Sequence, residues 1–230
     1  MANDLLIALR PELTTLPARL QSLPIDDRGY PVPWFVDWQD GKPEFRAMNG
    51  QKWGRAVREK RCWICGQPLG IHLAFPIGPM CVLNRTISEP PSHYACAEWS
   101  VRNCPFLSRP HMVRREDDQI NEDVAIKQSG GCAITRNPGV VCLWVTRSYR
   151  VFKSSGGSVG QLIQIGEPER VEWFAAGRSA TRAEVIEAID SGLPLLRQAA
   201  QREDSARDVQ AAFTEIARRR EQVEMLFPCP

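Results

Sequence analysis

Cys62 and Cys65, in the run Arg-Cys-Trp-Ile-Cys-Gly, put two thiols on one tight turn. Zinc takes four soft or borderline ligands in a tetrahedron, and a Cys-x2-Cys turn supplies two of them. Gly66, directly after the second cysteine, permits the left-handed backbone that aims amide N–H groups at sulfur. Lys60 and Arg61 lower the cost of keeping two thiolates charged. The plainer alternative is two buried thiols that lie three residues apart.

The other two ligands must come from elsewhere in the chain. His93 and Cys96 are spaced i, i+3 at the start of an expected helix, so their side chains share one face. A knuckle facing the first turn of a helix is a treble-clef arrangement, and the set read from spacing is Cys62, Cys65, His93 and Cys96. Rival sets bring in Cys81 or Cys104. Cys96 and Cys104 are eight residues apart, about 12 Å along a helix, so one ion spans them only if the helix ends first. A catalytic zinc keeps a position open for water. Four filled positions point to a structural metal, leaving His72 and His111 as the remaining histidines.

Two enzyme classes use comparable metal chemistry. Treble-clef folds form the core of His-Asn-His nucleases, in which a histidine activates water and a divalent ion holds the scissile phosphate. No Asp-His or His-His pair stands between the knuckle and the helix, where such a motif begins. Cytidine-type deaminases need His-x-Glu followed by Pro-Cys-x-x-Cys, and His-x-Glu is absent. Between Phe75 and His93, Asn84, Arg85 and Glu89 are polar residues of the kind that line a pocket, or that cap and pin a loop.

The chain has 230 residues, 43% hydrophobic and 24% charged, with a mean hydropathy of −0.31. That is enough apolar material for a core, with no run near the ~20 residues of a membrane span. The N-terminus has no basic region before its apolar patch and does not read as a secretory signal, so a cytoplasmic protein is expected. Eight cysteines in a reducing compartment argue against a disulfide framework. Five of them (Cys62, Cys65, Cys81, Cys96, Cys104) fall in one stretch. Cys132, Cys142 and Cys229 read as small buried hydrophobes. Net charge is +2, yet Glu44 to Arg115 carries eleven basic residues against four acids, a local +7. Lys52, Arg55, Arg58, Lys60 and Arg61 form its densest part and are the candidate nucleic-acid contacts, with a solvated basic face as the plainer alternative.

These residues need elements to position them. Residues 2–23 read as one or two short helices. Pro24 to Phe45 is too rich in proline and aromatics for a helix, and forms an extended arm carrying Tyr30, Trp34, Phe35 and Trp38, with Asp40-Gly41 as a turn between short strands. Residues 51–61 make a short basic helix. The metal helix is expected from about Glu89 to Asn103, with Pro90 and Pro91 in its first turn. Residues 114–137 read as an exposed connection. Strands are expected at 139–147, 149–153, 159–165 and 169–174, in a small antiparallel sheet. Thr181 and Glu184 form a capping box opening a helix to Asp190, broken at Ser191-Gly192 and reopened at Pro194. From Ser205 on, three- and four-residue apolar steps give an amphipathic helix of about 20 residues, with Arg218 to Arg220 on a solvated face.

The runs Cys-Trp-Ile-Cys-Gly-Gln-Pro-Leu-Gly (62–70), Gly-Pro-Met-Cys-Val-Leu-Asn-Arg (78–85), Glu-Pro-Pro-Ser-His (89–93), Cys-Pro-Phe-Leu (104–107) and Gly-Arg-Ser-Ala-Thr-Arg-Ala-Glu-Val (177–185) resemble those of uncharacterised bacterial and phage proteins. The resemblance covers most of the chain and implies a phage or prophage setting; it implies no activity.

The expected fold is therefore α+β: a zinc knuckle, a small antiparallel sheet and C-terminal helices. A zinc-binding module at 1–113 leads through a connection at 114–138 to a sheet-and-helix part at 139–230, the two packed as one unit. The expected function is that of a zinc-stabilised protein that binds nucleic acid or a nucleoprotein complex and does not enter a membrane. An adaptor that docks a protein partner through the last helix is the alternative binding role.

Overall fold

The computed structural model describes residues 9–108, 139–153, 161–203 and 206–229. A hairpin of β1 (Val36–Gln39) and β2 (Lys42–Met48) precedes α1 (Gly50–Arg58). After the knuckle come β3 (Leu73–Ile77), α2 (Pro79–Asn84), β4 (Thr86–Ile87), α3 (Tyr94–Asn103) and the short α4 (Pro105–Ser108). Strands β5 (Val141–Thr146), β6 (Tyr149–Lys153), β7 (Gln161–Ile165), β8 (Arg170–Ala175) and β9 (Arg178–Ser179) lead to α5 (Arg182–Glu203) and α6 (Ala206–Glu224). The class is α+β, as expected. The N-terminal helices and the 114–138 connection fall wholly or partly outside the described residues; within 9–23 the one helical piece is a 3-10 turn at Ala18–Leu20.

One strand explains the layering. Every residue of β5 is buried, because the two faces of its four-stranded antiparallel sheet (order β3-β5-β8-β9) both carry a core. Successive side chains of a strand point to opposite faces. Cys142 and Trp144 accordingly enter one cluster with Phe75, Ile77, Trp173, Val185 and Ile189. Val141, Leu143 and Val145 enter the other with Ala74, Phe174, Cys62, Cys65, Cys96 and Leu20. The first face is covered by α2, α5, α6 and a second sheet (order β4-β7-β6). The second is covered by α3 and the knuckle.

No strand is expected from the sequence at 73–77, where β3 lies, and the later strands expected in one sheet divide between two. Pro76 obscured β3, since proline cannot donate to a ladder. Here β3 is the edge strand and Pro76 faces Leu143 of β5 without needing an N–H partner. The stretch 79–84 is likewise helical, with Pro79 at its first position.

The helical end also differs from expectation. Helix α5 runs unbroken through Ser191-Gly192 and Pro194. A Cβ at Gly192 would lie 2.7 Å from Met80 Cε, so the glycine allows α2 to approach α5 and is no helix stop. Of the three arginines assigned to a solvated face, Arg218 fits. Arg219 donates to the Leu83 carbonyl of α2 at 3.1 Å, and Arg220 reaches Asp190 of α5 at 3.1 Å. Their alkyl stems and guanidinium groups tie α6 to its neighbours. Of the three scattered cysteines, Cys142 is buried, Cys229 is exposed and Cys132 lies outside the described residues. No helix among the described residues is long and apolar enough to cross a membrane.

The capping box is present: the Thr181 N–H donates to Glu184 at 2.8 Å, and the Glu184 N–H donates back to Thr181 Oγ1 at 3.3 Å. Arg178 first, and this cap second, hold the Glu184 carboxyl down at about 2, from 4.5. A depressed acid stabilises the fold above its unfolded pKa and loses that contribution as pH falls through its folded one. Thr181→Ala is expected to lower unfolding free energy by about 1 kcal/mol. Glu184→Gln should be less stable than the parent chain at pH 7. Chemical denaturation at stepped pH should show that gap closing between pH 4.5 and about 2.

Candidate metal centre

The knuckle is a narrow turn closed by backbone bonds. The Cys62 N–H donates to Gln67 O at 2.8 Å, Gly66 N–H to Cys62 O at 2.8 Å, and Leu69 N–H to Lys60 O at 2.8 Å. Gly66 has φ +72°, and a Cβ there would stand 2.6 Å from the Trp34 ring. Glycine is thus required twice, by backbone conformation and by the indole lying on it. Arg61 donates to Gly66 O at 3.0 Å and pairs with Glu59. Its charge braces the turn.

The opposing half is delivered by the segment before α3. The metal helix begins at Tyr94 instead of Glu89, with His93 as its N-cap in an extended conformation. Two consecutive prolines explain the late start, because each disfavours the helical region for the residue before it. Pro91 O accepts the Trp63 N–H at 3.0 Å, and Ser92 exchanges two backbone bonds with Ala74 of β3 at 2.8 and 2.9 Å. This short pairing sets His93 against the knuckle, and one turn of α3 brings Cys96 to the same place.

Cys62, Cys65, His93 and Cys96 offer four ligand atoms that all lie within 4.8 Å of one another. His93 Nδ1 is 3.4 Å from Cys65 Sγ and 3.9 Å from Cys96 Sγ. Ligand-to-ligand edges of about 3.5–3.8 Å follow from tetrahedral Zn–S and Zn–N bonds of about 2.3 and 2.0–2.1 Å. The second imidazole nitrogen, Nε2, donates to Pro68 O at 2.9 Å. A carbonyl only accepts, so Nε2 carries hydrogen and Nδ1 is the free donor atom. The N–H groups of Cys65 and His93 point at Cys62 Sγ at 3.4 and 3.3 Å, as a charged sulfur requires.

Protonation follows the same geometry. Burial raises the Cys62 thiol, but hydrogen bonds from Cys65, Cys96 and His93 outweigh it and hold Cys62 far below the ordinary thiol range. Bonding to Cys62 and then Cys65 raises His93 to about 10, and raises Cys96 well above its usual value. A divalent cation competes with protons for these donors, so binding releases protons and weakens as pH falls. This Cys3His group can hold a metal ion. Among the described residues it is the one cluster of its kind.

The remaining candidates are scattered. Cys104 caps the C-terminus of α3 and Cys81 lies in α2, both apart from the four donors. Burial, and Glu89 after it, raises Cys81 to about 11. Asn84 Oδ1 accepts the Thr86 N–H at 2.8 Å, and Arg85 lies 4.3 Å over the Trp144 ring with Nη2 3.3 Å from Glu167. Asn84 and Arg85 pin the turn between α2 and β4. His72 bonds Glu169 at 2.9 Å on the exposed rim, and His111 lies outside the described residues. Of the basic group, Lys52 donates to Val36 O at 2.9 Å and is lowered by burial. Arg55 pairs with Glu59 and leans on Trp34; Arg58 and Lys60 are exposed.

Sequence reasoning missed two supports of the site: the Pro68 carbonyl behind His93 and the indole of Trp34 on Gly66. The density of aromatics in the arm was the available signal for the second. Comparison with protein-family models, with curated proteins and with solved structures gave no match in any of the three.

Gly66→Ala is expected to cost at least 1 kcal/mol, since it adds backbone strain to a clash, and thermal unfolding checks it. Metal content by elemental analysis should persist in Cys104→Ser and fall in Cys96→Ser. Loss in Cys104→Ser would contradict the donor set.

Proposed function

We propose that this chain is a zinc-stabilised binding protein that contacts nucleic acid through the basic face beginning on α1. The observation that carries the reading is the closed Cys3His cluster, whose four donors lie within 4.8 Å and leave no position for a reacting water. A soft donor set with tetrahedral spacing favours zinc over hard cations. The approach of the knuckle to the first turn of α3 supports a treble-clef reading. A reducing, cytoplasmic setting suits three thiols held unpaired by disulfides.

Zinc here would supply fold energy, joining the knuckle to the first turn of α3. The nucleic-acid part rests on charge placement next to that knuckle. Arg55 and Arg58 project from α1, and Lys60 follows at the entry to Cys62. Lys52 and Arg61 also serve the protein's own carbonyls, so the phosphate contacts fall first to Arg55, Arg58 and Lys60. A phage or prophage nucleoprotein complex is a setting consistent with this role.

Three phosphate contacts predict a salt slope near −2.7, or about a 40-fold loss of affinity between 50 and 200 mM salt. Fluorescence anisotropy with labelled DNA and RNA should show that fall. Arg58→Ala with Lys60→Ala should weaken binding across all sequences and flatten the slope by about two. Affinity indifferent to salt, or no binding to either nucleic acid, refutes the proposed contact.

A further inference from the structure

The aromatic arm, residues 24–45, meets the knuckle through Trp34 and Phe35. Trp34 donates its N–H to Ile64 O at 2.7 Å. Its indole covers Gly66 so closely that a Cβ would lie 2.6 Å away. Phe35 stacks on Trp63, with centroids 5.0 Å apart and planes 10° from parallel, and Trp34 meets Trp63 edge-on at 6.3 Å. The receiving residues, Trp63, Ile64 and Gly66, are those between and directly after the first two cysteines. The arm's seat is therefore the turn that the Cys62 and Cys65 thiols shape.

The same arm holds α1 on its other side. Phe35 O accepts the Asn49 N–H at 3.1 Å, Asn49 Nδ2 donates to Asp37 at 2.9 Å, and Lys52 Nζ donates to Val36 O at 2.9 Å. The Asn49 side chain, so held, caps α1 through the Lys52 N–H at 3.0 Å. The Arg55 guanidinium lies 5.9 Å over the Trp34 ring. A continuous path of contacts thus runs from the cysteine turn through Gly66 and Trp34 to the cap of α1 and to Arg55.

We propose that metal binding and docking of the aromatic arm are coupled through Trp34 on Gly66, so that metal loss releases the arm and disorganises the basic face of α1. This rests on the zinc reading above and names the regulation of that site. Coupling of two events is reciprocal: if the metal favours the docked arm, the docked arm strengthens metal binding by the same factor. Trp34 is thereby a positioning residue for the metal centre, although it offers no ligand atom. Supports of this kind behind metal ligands are worth about 10- to 100-fold in affinity.

The test measures zinc affinity by competition with a chromophoric chelator in the full chain, Trp34→Ala, and Trp38→Ala as a control. Trp38 is a tryptophan of the same arm but 44% exposed. Trp34→Ala is expected to bind zinc about 10-fold or more weakly, with Trp38→Ala unchanged. Hydrogen exchange on the unmutated chain supplies the reverse leg and stands even if Trp34→Ala fails to fold. Chelation should expose the Trp34, Asn49 and Lys52 amides while β5 and β8 amides stay protected. Undiminished zinc affinity in Trp34→Ala, or a Trp34 amide still protected after chelation, overturns the coupling. Absence of zinc binding by the unmutated chain overturns the zinc reading as well, and is seen before any variant is made.

Discussion

Four donor atoms can share one ion only if two separate stretches of backbone are held opposite each other to within a few tenths of an ångström. Here that constraint is met by the pairing of Ser92 with Ala74 and of Trp63 with Pro91. The first ties the approach to α3 to the edge of the central sheet, and the second ties it to the knuckle. His93 and Cys96 then reach Cys62 and Cys65 because an extended residue followed by one helical turn covers the distance. The sheet edge is thus the ruler on which the metal site is laid out, which is why β3, with its proline, matters more to the site than its length implies.

Behind that edge lies β5, buried on both faces. Alternate residues of β5 fill two different cores, one under α2, α5 and α6 and one under α3 and the knuckle. Cys62, Cys65 and Cys96 count among the residues of the second core. An ion held there would stabilise the same face as the hydrophobic contacts, and the thiols are shielded from solvent by the packing that positions them. The local +7 charge has a different fate. Arg61, Arg85 and Arg102 are engaged by Glu59, Glu167 and Glu98 or lie on aromatic rings. Among the described residues, Arg55, Arg58 and Lys60 near α1 are exposed.

The clustering of Cys62, Cys65, His93 and Cys96 was legible in the sequence because thiol and imidazole chemistry leaves few choices and the i, i+3 spacing survives a misplaced helix start. His93 proved to be the cap and not a first-turn residue, yet it still shares a face with Cys96. The Asp40-Gly41 hairpin, the Thr181 capping box and all four expected later strands were readable from local turn and propensity rules. What stayed hidden was non-local. The strand character of 73–77 depends on a partner almost seventy residues away, and a proline in its middle argued the other way. Continuity of α5 past Gly192 depends on Met80 of a different helix. The seat of Trp34 on Gly66 depends on a fold that no window of sequence contains.

The central claim is that Cys62, Cys65, His93 and Cys96 hold one zinc. X-ray absorption at the zinc edge on the purified chain, with stoichiometry from elemental analysis, tests it most directly. About one zinc per chain with three sulfur and one nitrogen neighbours near 2.3 and 2.0–2.1 Å is the predicted result. A folded chain that carries no metal, or whose metal has a shell of oxygen ligands, would contradict it.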